Sequence, residues 1–200
     1  CASNSNNVLT DFIATGKYDR NRPFYNTVSP SMDILISSNL ERLLYLLSGG
    51  DDKLVAGYMK ELSDTGCYQV SEEMRKKIQS VFVGGFSSEA ETEATIGKMM
   101  DEHKYLIDTH TAVAFHVLEQ YRKETGDQTK TVVASTASPF KFCDAVLDAL
   151  NVTDKATGTA LLDQLAEVSG MPAPQPLATL KDKQVRFTSW TEKEQMRAVV

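Results

Sequence analysis

The chain has 200 residues, 42% of them hydrophobic and 24% charged, with 11 glycines and 6 prolines; this is ordinary globular composition and excludes a disordered, collagen-like or coiled-coil chain. A formal charge of −6 without a run of like charge argues against a nucleic-acid binder held by phosphate contacts, and no stretch approaches the ~20 apolar residues of a membrane span. Three cysteines cannot build a disulfide framework, and their odd number suits a reducing, cytoplasmic setting.

Cys1 stands where a methionine would open a complete chain, so the sequence reads as processed or as a piece of something longer. Cys1, Ala2 and Ser3 read as the end of a strand. Val8, Phe12 and Ile13 then share a helical face, with Asn6 or Asn7 as N-cap and Gly16 as stop. Residues 17–30, rich in Asn, Arg, Pro and Tyr, predict an ordered loop. Ile36, Leu40, Leu43, Leu44 and Leu47 recur at helical spacing between a Ser37 or Ser38 cap and Gly49–Gly50. Val55, Met59 and Leu62 predict a helix up to Gly66. Another opens at Ser71, where Glu72 and Glu73 suit the positive end of the dipole.

VFVGGF (81–86) is a short β-like run broken by two glycines, and Ser88 with Glu91 is a capping-box signature for a helix reaching Lys104. Val113, Val117, Leu118 and Tyr121 mark a helix that stops at Gly126. TKTVVAST (129–136) predicts a strand whose apolar centre suits burial on both faces of a parallel sheet. Ser138 as cap and Pro139 at the first position then open a helix carrying Phe142, Val146, Leu147 and Leu150. A last helix holds Leu161, Leu162, Leu165 and Val168. The sum is a helix-rich α/β chain, short of strands for a complete sheet, whose exposed apolar edges favour a homodimer.

The sequence has no GxGxxG, GxxxxGK or GxSxG motif. Gly84–Gly85 could cradle a phosphate, but Glu89 and Glu91 in the following turn would repel it, so a turn followed by a cap fits better. His103, His110 and His116 are spaced seven and six apart, which does not stack two imidazoles on one helical face, and no metal site is expected. Cys67 and Cys143 read as small hydrophobes. A Ser135–His110–Asp33 triad is conceivable, though without a nucleophile elbow. Ser135-Thr136-Ala137-Ser138-Pro139 stands apart because it joins a predicted strand end to a helix start, where open α/β sheets bind ligands. Two readings stay open: Thr136 faces a crevice, or Ser135, Thr136 and Ser138 merely make the turn and cap.

Four blocks, ASNSNNVLTDFIATGKY, VSPSMDILISSNLERLL, YLIDTHTAVA and VVASTASPFKF, resemble in this order the C-terminal half of the threonine synthases. The resemblance implies the tryptophan-synthase-β-like fold (type II) of pyridoxal-phosphate enzymes, with residues 1–200 as its C-terminal portion. It implies a lyase that converts O-phospho-L-homoserine and water to threonine and phosphate. It gives Thr136 a hydrogen bond to the pyridine nitrogen of the cofactor, with Ser135 and Ser138 on the same wall. It sets Ser29, Ser31, Asp33, Asn4 and Asn6 toward the substrate crevice. The family's Schiff-base lysine and phosphate-binding loop lie upstream of the matching region, so the chain is expected to need that upstream half as partner and to be inactive alone. The family often has histidine and alanine where this chain has Ser138 and Phe140. Two competing readings are a binding domain without chemistry and a serine hydrolase using Ser135.

Overall fold

A computed structural model describes residues 1–199, which divide into two compact units, 1–155 and 156–199. In the first unit the expected strand end is β1 (Ala2–Ser3), and it pairs in parallel with β4 (Gly85–Phe86), Ala2 opposite Gly85 and Ser3 opposite Phe86. The glycines at 84 and 85 therefore form no turn. A Cβ at Gly85 would lie 2.6 Å from a methyl of Val117, and one at Gly84 would lie 3.0 Å from the backbone of Thr10, so their smallness lets the strand pack closely against two helices.

Between these strands runs a helical layer. α1 (Val8–Thr15) ends on left-handed Gly16 as expected. Its Asn7 side chain does not cap it; that oxygen instead accepts from Arg22, which also pairs with Asp11 at 2.7 Å. α2 (Ser38–Leu47), α3 (Asp52–Thr65) and α4 (Glu72–Gln79) follow, each opened by the side chain of Ser37, Asp51 or Ser71 accepting an amide from the first turn. Residues 17–30 are not all loop. β2 (Lys17–Asp19) pairs antiparallel with β3 (Cys67–Gln69), bringing Tyr18 opposite Tyr68. Their rings stack at 5.3 Å, and Phe12 meets Tyr18 edge-on at 5.8 Å. Val8, Phe12, Leu40, Leu44, Met74 and Ile78 complete the core around them.

α5 (Glu89–His103) opens with the predicted capping box, and α6 (Thr109–Thr125) ends on left-handed Gly126. Ile96, Ala112, Val113, Val146 and Leu147 are buried in this half of the unit. The strand expected at 129–136 is absent. Residues 127–136 run without regular structure, and Val132 is 92% exposed. β-branched composition favours extended backbone, but a strand also needs a ladder partner, and none lies beside this segment among the described residues. The helix expected from Pro139 begins as a short 3₁₀ turn, Pro139–Lys141, and becomes α7 only at Cys143–Ala149.

The second unit holds α8 (Ala160–Ser169), with Leu162 and Leu165 buried, then the short turn α9 (Gln175–Ala178) and a tail in which Phe187 and Trp190 are exposed. Among the described residues no helix is long and apolar enough to cross a membrane.

Candidate functional site

The crevice outside the C-terminal ends of parallel strands is where ligands bind in open sheets, and here those ends lie side by side, Ser3 opposite Phe86. Immediately after β1, the buried Asn4 and Asn6 reach into loop 25–33. One Asp33 carboxylate oxygen accepts from Asn4 Nδ2 (2.7 Å), Asn6 Nδ2 (3.0 Å) and the Thr27 hydroxyl (2.7 Å), while the other accepts the Thr27 amide (2.9 Å). Asn4 Oδ1 accepts the Asn6 amide, Asn6 Oδ1 accepts the Tyr25 amide, and the Ser29 hydroxyl lies 3.0 Å from Asn4 Nδ2. An amide nitrogen has two protons to give, and here both find acceptors within the cluster. The structure thus brings Asn4, Asn6, Ser29 and Asp33 together, and it shows that they satisfy one another. Their effect is to lash the loop to the strand end.

From that loop the bonding continues to the start of α6. The Ser31 amide donates to His110 Nε2 (3.2 Å), so the ring proton sits on Nδ1, facing Asp108 Oδ1 at 3.0 Å. Asp108 is buried and caps α6: the same oxygen accepts the amides of His110 (2.9 Å) and Thr111 (3.4 Å). Its second oxygen accepts the Thr111 hydroxyl, and Thr111 Oγ1 lies 3.0 Å from the Ser135 hydroxyl. At the entry to α5, Glu89 accepts the Val28 amide at 2.9 Å.

Ser135, His110 and Asp33 do not form a triad. The imidazole is held by Ser31 and Asp108, and Ser135 meets Thr111 instead, so the His110 ring does not stand beside the Ser135 hydroxyl as its base. Ser138 accepts the Phe140 amide at 3.3 Å and caps the 3₁₀ turn, in agreement with the simpler of the two readings for this residue. Thr136 is exposed, and its hydroxyl has no hydrogen-bond partner among the described residues. Cys143 is buried with its thiol pushed up by desolvation and directed to the Phe140 carbonyl, which makes it inert as a nucleophile. Beside the crevice lies a cleft of about 640 Å³ between β1, α6 and residues 131–134, walled by Ala2, Met32, Val83, Val117 and Leu118.

Asp108, Thr111 and Thr27 carry much of this arrangement and were not singled out from the sequence. Asp108 followed by Thr111 three positions on is a legible N-cap signal. The contact with Ser135 is tertiary and leaves no local trace.

Comparison with known proteins gives the family of this chain. Residues 111–200 match the family model described as threonine synthase, C-terminal. Human threonine synthase-like 1 is 38% identical over 174 residues, covering 86% of this chain and 23% of that protein; the threonine synthase of Saccharomyces cerevisiae is 36% identical over 164 residues, covering 75% and 32%. The crystal structure of yeast threonine synthase superposes with a TM-score of 0.77 at 32% identity, over 92% of this chain and 37% of that one. A pyridoxal-phosphate-bound threonine synthase from Brucella melitensis gives 0.69 at 36% identity, over 86% and 35%. The chain spans a quarter to a third of the length of the curated relatives it matches. In sequence and in fold, it corresponds to the C-terminal portion of the threonine synthases, the helix-rich and few-stranded part of their type II pyridoxal-phosphate fold.

Proposed function

We propose that this chain acts as the C-terminal part of a cytoplasmic threonine synthase, which converts O-phospho-L-homoserine and water to L-threonine and phosphate in threonine biosynthesis. The observation that carries the reading is convergence: the four sequence blocks are linked by hydrogen bonds that run from Asn4 through loop 25–33 and the start of α6 to Ser135. Ligand sites of open parallel sheets lie there.

The residues present suit one end of pyridoxal phosphate. Thr136 offers an unpartnered, neutral hydroxyl, which matches a pyridine nitrogen that stays largely unprotonated. Once bound, the cofactor serves as the electron sink for the reaction. This chain's own part is to hold the ring edge with Thr136 and to wall it with Ser135 and Ser138. The saturated cluster of Asn4, Asn6, Ser29 and Asp33 fixes the crevice floor, and Ser31 holds His110 in one tautomer. The neighbouring apolar cleft is where the upstream half would continue the sheet. The resemblance puts the family's attachment lysine and phosphate cradle upstream of the matching region, so the chain alone should be silent.

The test is to mix the 200-residue chain and, separately, the full gene product with pyridoxal phosphate, then reduce with borohydride and weigh the peptides. The reading expects no cofactor fixed to the short chain and a single fixed lysine in the full product, which then releases phosphate from O-phospho-L-homoserine. Thr136→Val in that product should cost up to about 3 kcal/mol in barrier, as for one preorganised polar contact. Cofactor fixed to a lysine of the short chain would overturn the division of labour. A loaded full product that ignores O-phospho-L-homoserine would overturn the substrate.

A further inference from the structure

Residues 132–137 have no ladder on either side, and one hydrogen bond attaches them to the rest of the described chain: that between Ser135 and Thr111. The loop before them is fastened independently, through Arg122 Nη2 to the Thr129 carbonyl (3.3 Å) and the Thr131 hydroxyl (3.4 Å). The turn after them is closed by Ser138. Between these two points Ser135, the neighbour of Thr136, is the hydrogen-bonded anchor.

Thr111 Oγ1 is the point that joins the two groups. It donates toward the second Asp108 oxygen and, at 3.0 Å, toward the Ser135 hydroxyl, so the carboxylate and Ser135 are held on one hydroxyl. Asp108 is itself buried and immobilised, by two α6 amides and by the Nδ1 proton of His110. A helix cap needs only one carboxylate oxygen; the second is directed sideways, through Thr111, to the residue next to Thr136.

We propose that Asp108 is a positioning residue for Thr136, acting through a relay of the Thr111 and Ser135 hydroxyls; this rests on the role given to Thr136 above. The relay orders a segment that lacks a strand partner, and it holds the Thr136 hydroxyl toward the crevice without supplying a charge to it.

Backbone order at 133–137, measured by 15N relaxation in the 200-residue chain, tests the relay without any cofactor. The unaltered chain should show order parameters near ~0.85, falling below ~0.6 in Ser135→Ala and Thr111→Val and returning in Thr111→Ser. Ser135 is exposed, so Ser135→Ala leaves the packing intact and reads the relay even if Thr111→Val fails to fold. Order that survives Ser135→Ala, or that is already low in the unaltered chain, overturns the proposal. In the full gene product, Thr111→Val should weaken pyridoxal phosphate binding about tenfold, with Thr111→Ser restoring it. If Thr136→Val weakens binding and Thr111→Val does not, the relay falls while the role of Thr136 stands. If the segment loses order in Ser135→Ala and Thr136→Val leaves binding untouched, the anchor holds and the role of Thr136 falls.

Discussion

Loop 25–33 and the stretch 132–137 each lend residues to the wall of one cleft, Met32 from the first and Val132 to Ala134 from the second, and both carry hydroxyl groups, yet they are held in opposite ways. In the loop, Thr27, Ser29 and Asp33 are closed on Asn4 and Asn6, with four donors converging on one carboxylate. In the stretch, among the described residues, the Thr136 hydroxyl has no hydrogen-bond partner and Ser135 makes the one hydrogen bond to the rest of the chain. Polar residues that look functional in a sequence therefore divide by what is left over after folding. Groups that answer one another build the site, and the group with an open valence is free to meet a ligand.

That contrast can be broken most forcefully at Asp33. Asp33→Ala would leave the amides of Asn4 and Asn6 and both Thr27 donors without their acceptor, and should destabilise the chain by about 3 kcal/mol in urea unfolding. A loss under ~0.5 kcal/mol would show that the cluster is not structural. A smaller effect is expected at the closed entry to α5. Ser88→Ala should cost about 1 kcal/mol through the lost cap. The Ser88 hydroxyl, and after it the Ser88 amide, hold the Glu91 carboxyl below its ordinary range. A depressed carboxyl adds stability at pH values above its unfolded pKa, and that contribution disappears as the pH falls through the folded value. The difference between parent and Ser88→Ala should accordingly shrink in acid, a trend that thermal melts between pH 7 and strong acid would reveal or refute. Smallest of all is the effect in the open stretch: Val132→Thr should change stability by less than ~0.5 kcal/mol, because that side chain is almost wholly in water. A larger loss would mean that the stretch packs in a way its exposure denies.

Legibility in the sequence follows the range of the interaction. The serines at 37, 71 and 88 and the glycines at 16, 66 and 126 act within one turn of the residues that display them, so helix ends were readable. β2 and β3 escaped because each is three residues long with one buried tyrosine at its centre, too short for an alternation, and each is fixed by its distant partner. Residues 129–136 misled in the other direction, since local propensity for extended backbone says nothing about whether a ladder partner is present. At the site, resemblance brought out Asn4, Asn6, Ser29, Asp33 and Thr136, whereas their saturation, and the path from Asp108 to Ser135, exist only in three dimensions.

The central claim is that the open hydroxyl of Thr136 faces the ring nitrogen of pyridoxal phosphate. Its most direct test is the 15N chemical shift of cofactor labelled at that nitrogen, bound to the full gene product and to its Thr136→Asp variant. The account predicts the shift of an unprotonated pyridine in the former and of a protonated one in the latter, because a carboxylate favours the charged ring where a hydroxyl does not. A bound ring whose shift is the same in both would contradict it.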